Sequence, residues 1–288
     1  MGALHSGHVS LVERSLQDDA HYTVVSIFVN PSQFAPGEDL DSYPRTWDSD
    51  YSTLVNLLQR DTKTTNSGGS EASSSKNDEK RLVIFAPTVS EMYPSGITLN
   101  TAEQRGTFIE VLGPSGPLEG ESRPSFFRGV CTVVLKLFCS VQCNVAYFGQ
   151  KDIQQCIVVK RMVSDLLLDL EIVVMPIVRE VNGLAKSSRN QYLEKDSFER
   201  SALIYKALKE GVELSRKGRV GATEVVAHVK SLMVKDELFE VDYISVNEPV
   251  DLQARIGNVE KGDVLSLAVF VNQGEGKQRV RLIDNIIV

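Results

Sequence analysis

Long apolar runs are missing from this chain. No stretch approaches the roughly 20 apolar residues that a membrane-spanning helix needs, so no membrane partner is expected. An excess of basic residues is missing as well. Asp and Glu number 38 against 31 Lys and Arg over 288 residues, a net charge of −7. Such a surface does not suit nucleic acid, and an anionic substrate has to be met by basic residues gathered in one cleft. Cysteine is scarce: Cys131, Cys139, Cys143 and Cys156 form no C-x-x-C pair. Three of them lie in apolar runs and read as reduced core residues, which excludes a disulfide framework. Histidine is equally scarce. Beside His5 and His8 only His21 and His228 occur, in unrelated contexts, whereas zinc wants three or four ligands. No secretory leader is legible, because Met1 leads straight into Gly-Ala-Leu-His. A cytoplasmic protein is expected.

What is present is ordinary for a globular chain: 42% apolar and 24% charged residues, at a length that suits two domains. Amphipathic spacing predicts a helix over 9–18, and the β-branched run 23–29 predicts a buried strand. Prolines and a glycine make 30–37 a loop. A helix is expected over 47–59. Residues 61–80 read DTKTTNSGGSEASSSKNDEK, too poor in core residues to offset chain entropy, and are expected to be a disordered insertion. Strands at 81–86, 145–148 and 171–178 alternate with helices at 130–141 and 153–166. That alternation implies a parallel α/β sheet with crossover helices over 1–180. From 181 to 288 the pattern changes. One long helix (198–217), a second (223–232) and strands at 241–246, 264–271 and 280–287 suggest a smaller α+β domain.

Several short clusters carry chemistry. His5-Ser6-Gly7-His8 stands just before a helix, where free N–H groups and the helix dipole favour a phosphate. Such a pair can present both imidazoles to one side, and inconsequential surface histidines are the plain alternative. Lys186-Ser187-Ser188-Arg189 follows Asn182-Gly183 and suits a mobile phosphate clamp; a polar surface loop is its alternative. Gly149-Gln150-Lys151-Asp152 ends a strand and opens a helix, the place where open α/β sheets bind ligands. Asp152 could hold Lys151 or a ribose hydroxyl, or only cap the helix. Asn30 and Gln33 bring neutral amides from a strand end, suited to a small hydroxy acid. Arg123 and Arg128 flank a helix start, for anion recognition or for capping.

Together these segments resemble the pantothenate synthetase (pantoate–β-alanine ligase) family. The similar stretches are MGALHSGH, FVNPSQFAPGEDLDSYPRT, the RP-x-x-F-x-GV segment, AYFGQKDIQQ, GLAKSSRNQYL and RLIDNI, in the family's order and across nearly the whole chain. The resemblance implies a Rossmann-like domain with a C-terminal lid domain and a site between them. It implies ATP as substrate and Mg²⁺. Pantoyl adenylate and pyrophosphate form first, and β-alanine then displaces AMP. By position, Met1, Gly2, His5, His8, Gly149, Gln150, Lys151, Asp152, Val178, Lys186, Ser187, Ser188 and Arg189 fall at ATP-contacting places. Catalysis falls to His8 as proton donor, with His5 and Lys151. Gln33 and Gln155 fall to the acid substrates, and Asn30 joins them from its place at the strand end. A homodimer is common in the family, and no metal ligands are assigned. Three departures stand out: Lys186 in place of an apolar residue, Phe126 in place of histidine, and a start at Met1 without the family's first strand. The last makes a truncated copy the expectation for this sequence. The other readings are an inactive homologue, or an adenylyl or cytidylyl transferase with a different acceptor.

Overall fold

The structure, a computed structural model, describes residues 2–18, 22–35, 37–38, 40–65, 81–274 and 276–288, with the side chains of 60–65 excepted. Met1, His21 and residues 66–80 of the expected insertion lie outside the described residues.

Helix α1 (Ser6–Gln17) buries Leu11, Val12, Ser15 and Leu16, an i, i+1, i+4, i+5 stripe that faces one side. Strand β1 (Tyr22–Ser26) follows. Helix α2 (Trp47–Thr65) crosses over to β2 (Arg81–Phe85), which pairs with β1 in parallel from Tyr22↔Arg81 to Ser26↔Phe85. Val12, Leu16, Val25, Leu54 and Leu57 form the core beneath this pair. Helix α2 continues through Thr65, so the first five residues of the expected insertion prolong a helix that was expected to end at 59.

Two short helices, α3 (Val89–Met92) and α4 (Glu119–Ser122), lead to α5 (Phe126–Val141). Its residues Phe127, Val130, Cys131, Val134 and Phe138 recur at helical spacing and are buried. A β–α–β unit follows: β3 (Val145–Gly149), α6 (Ile153–Asp165) and β4 (Glu171–Met175), the two strands parallel. Helix α6 sets Val158, Val159 and Met162 into the same core as α5. Cys131 and Cys156 are buried as expected. Cys139, on the outer face of α5, is exposed, and all four thiols are free.

The remainder is α7 (Lys195–Arg200), α8 (Ala202–Ser215), α9 (Ala222–Met233) and an antiparallel sheet of β5 (Phe239–Asn247), β6 (Val264–Val271) and β7 (Val280–Ile287), in that order. Leu208, Val212, Val225, Val229, Leu265, Leu267 and Leu282 join helices and sheet in one core. The single helix expected over 198–217 is broken at Ser201. Its buried hydroxyl donates to Ser197 O at 2.6 Å, and this back-bond closes α7 before α8 begins.

The expected buried strand at 23–29 is shorter and half open. Thr23 and Val25 are buried, but Tyr22 and Val24 are exposed. The cause is topological. Strands β1 and β3 each have a strand partner on one edge only among the described residues. Both strands line one large cavity of roughly 2030 Å³ instead. No helix among the described residues is long and apolar enough to cross a membrane.

Candidate active site

The ends of three strands and of one helix border that cavity. The chain after β1 carries Asn30 and Gln33, β3 ends in Gly149 and is followed by Lys151 and Asp152, and the chain after β4 carries Val178; the side chain of Gln150 turns to Asn285 instead. The start of α1 brings Gly2, His5 and His8. Carboxyl ends of strands are where an open α/β sheet offers backbone groups and room to a ligand.

The histidine motif is a helix cap built from imidazoles. His5 Nδ1 accepts the Gly7 amide at 3.1 Å, and His8 Nδ1 accepts the His5 amide at 3.4 Å. The two rings lie 3.9 Å apart between centroids. Gly7 is required here, because a Cβ would stand 2.9 Å from the His5 ring. An accepting Nδ1 places the proton of each neutral ring on Nε2, leaving an N–H donor on each ring for a ligand. Burial first, and then neighbouring positive charge, holds His8 down to about 3. His5 is lowered by burial and by Lys151 and Lys186. Both rings are therefore neutral donors near pH 7.

The loop before α1 is held by a residue that the sequence reading passed over. Asp50, in the first turn of α2 and 2% exposed, accepts the amides of Ala3 at 3.0 Å and Leu4 at 2.7 Å. Ala3 has φ +53°, a left-handed conformation that non-glycine residues rarely hold without such restraint.

On the opposite flank, Asn30 is saturated by protein. Its amide donates to Gln33 Oε1 at 2.9 Å and Gly129 O at 3.3 Å, and its oxygen accepts from Tyr93 at 2.6 Å and Ser32 Oγ at 3.0 Å. It therefore orients Gln33 rather than offering groups to a substrate. Gly129 of α5 lets this turn approach, since a Cβ there would stand 2.2 Å from Ser32 O. Arg123 donates to Glu38 at 2.8 and 2.7 Å and to Gln33 O at 2.7 Å, and its guanidinium stacks 4.0 Å from the Phe126 ring. Arg128 pairs with Gln104 and stacks on Phe108. Both arginines thus serve protein contacts. Gln155 lines the cavity from the first turn of α6. Its neighbour Gln154, 4% exposed, donates to Pro114 O and Pro117 O and accepts the Glu119 amide.

Asp152 does not cap α6, whose N-terminus has no side-chain cap bond, and lies 3.6 Å from Lys151 Nζ. The Asn182-Gly183 segment is not a loose hinge but the turn of a small hairpin. Gly183 has φ +95°, Glu180 N donates to Leu184 O at 2.8 Å, and Lys186 N to Val178 O at 2.9 Å. Lys186 Nζ is 2.8 Å from Glu180, an ion pair that offsets its charge. Ser187 Oγ accepts the Arg189 amide at 3.2 Å, and Ser188 Oγ lies 3.2 Å from Tyr43 OH. Hence His5, His8, Lys151, Asp152, Val178, Lys186, Ser187, Ser188, Arg189, Gln33 and Gln155 all border one cavity.

The family described as Pantoate-beta-alanine ligase matches residues 1–287. The Pantoate--beta-alanine ligase of Saccharomyces cerevisiae is 44% identical over 300 residues, covering 100% of this chain and 90% of the yeast protein. A Pantothenate synthetase of Acetivibrio thermocellus is 42% identical, covering 100% of this chain and 89% of its own length. Among solved structures, that of a Thermus thermophilus pantothenate synthetase superposes with a TM-score of 0.82 at 36% identity, over 100% of this chain and 90% of that one. A Francisella tularensis ligase complexed with Beta-gamma ATP and Beta-alanine superposes at 0.63 with 27% identity, over 100% and 87%. On these grounds the chain belongs to the pantoate-beta-alanine ligase family.

Proposed function

We propose that this cleft condenses pantoate with β-alanine at the expense of ATP, giving pantothenate, AMP and pyrophosphate. In the first step a pantoate carboxylate oxygen attacks the α-phosphorus and the bond to pyrophosphate breaks. In the second, the β-alanine amine attacks the acyl carbon and the bond to AMP breaks. The observation that carries the reading is the gathering of two Nε2–H donors, a lysine and the Ser187–Arg189 turn around one cavity, with Gln33 and Gln155 bordering it too.

The donors of His5 and His8 and the amino end of α1 suit the α-phosphate, where negative charge grows as pyrophosphate leaves. His8 then acts as a hydrogen-bond donor without carrying a full charge. Lys151 and Arg189 offset the charge that moves to pyrophosphate. Gly2, the Gly149–Gln150 backbone, Val178, Ser187 and Ser188 border the nucleotide. The amides of Gln33 and Gln155 hold pantoate through its hydroxyls and carboxylate without neutralising the attacking oxygen. Once the acid is activated, positioning of the amine accounts for much of the second step. Among the described residues no group of three metal-ligating side chains occurs. Mg²⁺ is usually held by substrate phosphates, waters and one or two carboxylates. Asp152, beside Lys151, is the carboxylate placed to join it, and the ion would neutralise phosphate charge.

We also infer that β1–β2 and β3–β4 are two halves of one Rossmann-like sheet, with the lid domain beginning near residue 181. Among the described residues β1 and β3 each have a strand partner on one edge only, and both line the same cavity.

The function is tested by AMP release with ATP, Mg²⁺ and pantoate, with and without β-alanine. Turnover that requires both acids is the expected result. Release that pantoate does not stimulate would mean a different acceptor, and no release at all would mean an inactive homologue.

A further inference from the structure

The motif RLIDNI runs along β7, and the chemistry above makes no use of it. Strand β7 is the edge of its sheet, paired only with β6 among the described residues. Consecutive residues of a strand point to opposite faces. Asp284 and Asn285 do so, and each reaches a different piece of the cleft.

Asn285 is 2% exposed. Its amide nitrogen donates to Gln150 O at 2.9 Å and to Lys151 O at 3.0 Å, and its oxygen accepts from Gln150 Nε2 at 3.2 Å. Both carbonyls of the turn that presents Lys151 are thereby tied to one side chain 134 and 135 positions away. Asp284, also 2% exposed, accepts from Arg179 Nη1 at 2.6 Å and Nη2 at 3.0 Å, and from the Asn285 amide at 2.8 Å. Arg179 in turn donates to Gly183 O at 3.1 Å and stacks 3.6 Å from the Tyr205 ring. Arg179 and Ala185 form the bridge at the base of the hairpin that delivers Lys186–Arg189.

We propose that Asp284 and Asn285 are positioning residues for the ATP half of the reaction. They fix the Lys151 turn and the Ser187–Arg189 turn to the same two residues of one strand, so that the two cationic groups meet the triphosphate in one register. The inference rests on the ligase reading and adds to it a route by which the lid's own sheet sets the geometry of the nucleotide cradle. A full hydrogen-bond set on a buried amide has no freedom to rotate away. A bidentate arginine–carboxylate pair fixes orientation as well as distance. Loss of either contact lets one turn drift relative to the other.

The test is a pair of double-mutant cycles on the full chain, with each half-reaction followed separately. Asn285→Ala should slow pyrophosphate formation from ATP and pantoate about 10- to 100-fold, the size expected when a reacting group is misplaced by about 1 Å. AMP release from supplied pantoyl adenylate and β-alanine should stay within about twofold. In a Lys151→Ala background the same substitution should lose most of its effect, because its target is gone. Asp284→Asn should behave likewise toward Arg189→Ala. Equal losses in both half-reactions, or additive losses in the cycles, would reduce the pair to general stabilisers and overturn the proposal. If Asn285→Ala does not fold, Asn285→Ser takes its place in the cycle. A wild-type chain that forms no adenylate would instead refute the ligase reading itself.

Discussion

His8 couples the active site to acid stability, and the size of that coupling follows from its burial. The ring is held neutral, with its pKa down at about 3 against 6.5 when unfolded. Between those values the unfolded chain binds a proton that the folded chain does not. Stability is therefore fully present above pH 6.5 and is lost as pH falls through the window from 6.5 to 3. Each unit within the window is worth about 1.4 kcal/mol, so a shift from pH 7.5 to pH 5 removes about 2 kcal/mol. Carboxylates titrate in the same range, so the comparison must be a difference. His8→Asn retains an acceptor near the position of Nδ1 for the His5 amide and carries no titratable ring. Urea unfolding of both proteins at pH 7.5 and pH 5 isolates the term. The gap between wild type and variant should change by about 2 kcal/mol in favour of the variant at pH 5. The same pH dependence in both proteins would mean that His8 is not buried neutral, and the assignment of two Nε2–H donors would fall with it.

The remaining predictions address the groups that hold the site. Asp50→Ala strips the acceptors from two amides and releases the strained Ala3, so it should cost about 1–3 kcal/mol in urea unfolding and raise the KM for ATP. Gly129→Ala drives a Cβ into Ser32 O, which predicts about 1–3 kcal/mol of overpacking strain. It should raise the KM for pantoate more than that for ATP, because the Asn30–Gln33 turn is what moves; equal changes would contradict this. Arg281 donates to both oxygens of Glu119, 7% exposed, at 2.7 and 2.8 Å. Arg281→Ala strands that carboxylate and should destabilise by about 3–5 kcal/mol, read from denaturant midpoints. Arg281→Ala with Glu119→Gln should recover part of the loss.

The periodic parts of the fold were legible because they depend on near neighbours. Strands β6 and β7 run over the residues expected from alternation and β-branching, and α5 and α6 lie where apolar spacing put them. The histidine pair and the Lys151 turn were legible for the same reason, since a cap or a strand-to-helix turn is a matter of a few consecutive residues. Less legible were interruptions that hang on one side chain. Ser201 breaks a continuous helical pattern with a single back-bond. The protonation of His5 and His8 was not legible, because burial and the neighbouring lysines come from elsewhere in the chain.

The sequence by itself determined most of the order of elements, the family and a set of polar residues that border the cavity, all of which rest on local pattern and motif order. Only the tertiary structure decided which polar residues hold them: Asp50 on the amides of Ala3 and Leu4, Asn30 on Gln33, Gln154 on the turn before α4, Asp284 on Arg179 and Asn285 on the Lys151 turn. In a linear reading each of these is one polar residue on a helix, a strand or a turn, with nothing to show which group it holds. Apart from Asn30, their partners lie tens to more than a hundred positions away. Such pairings arise only when packing removes the alternative of water, and periodicity carries no record of that step.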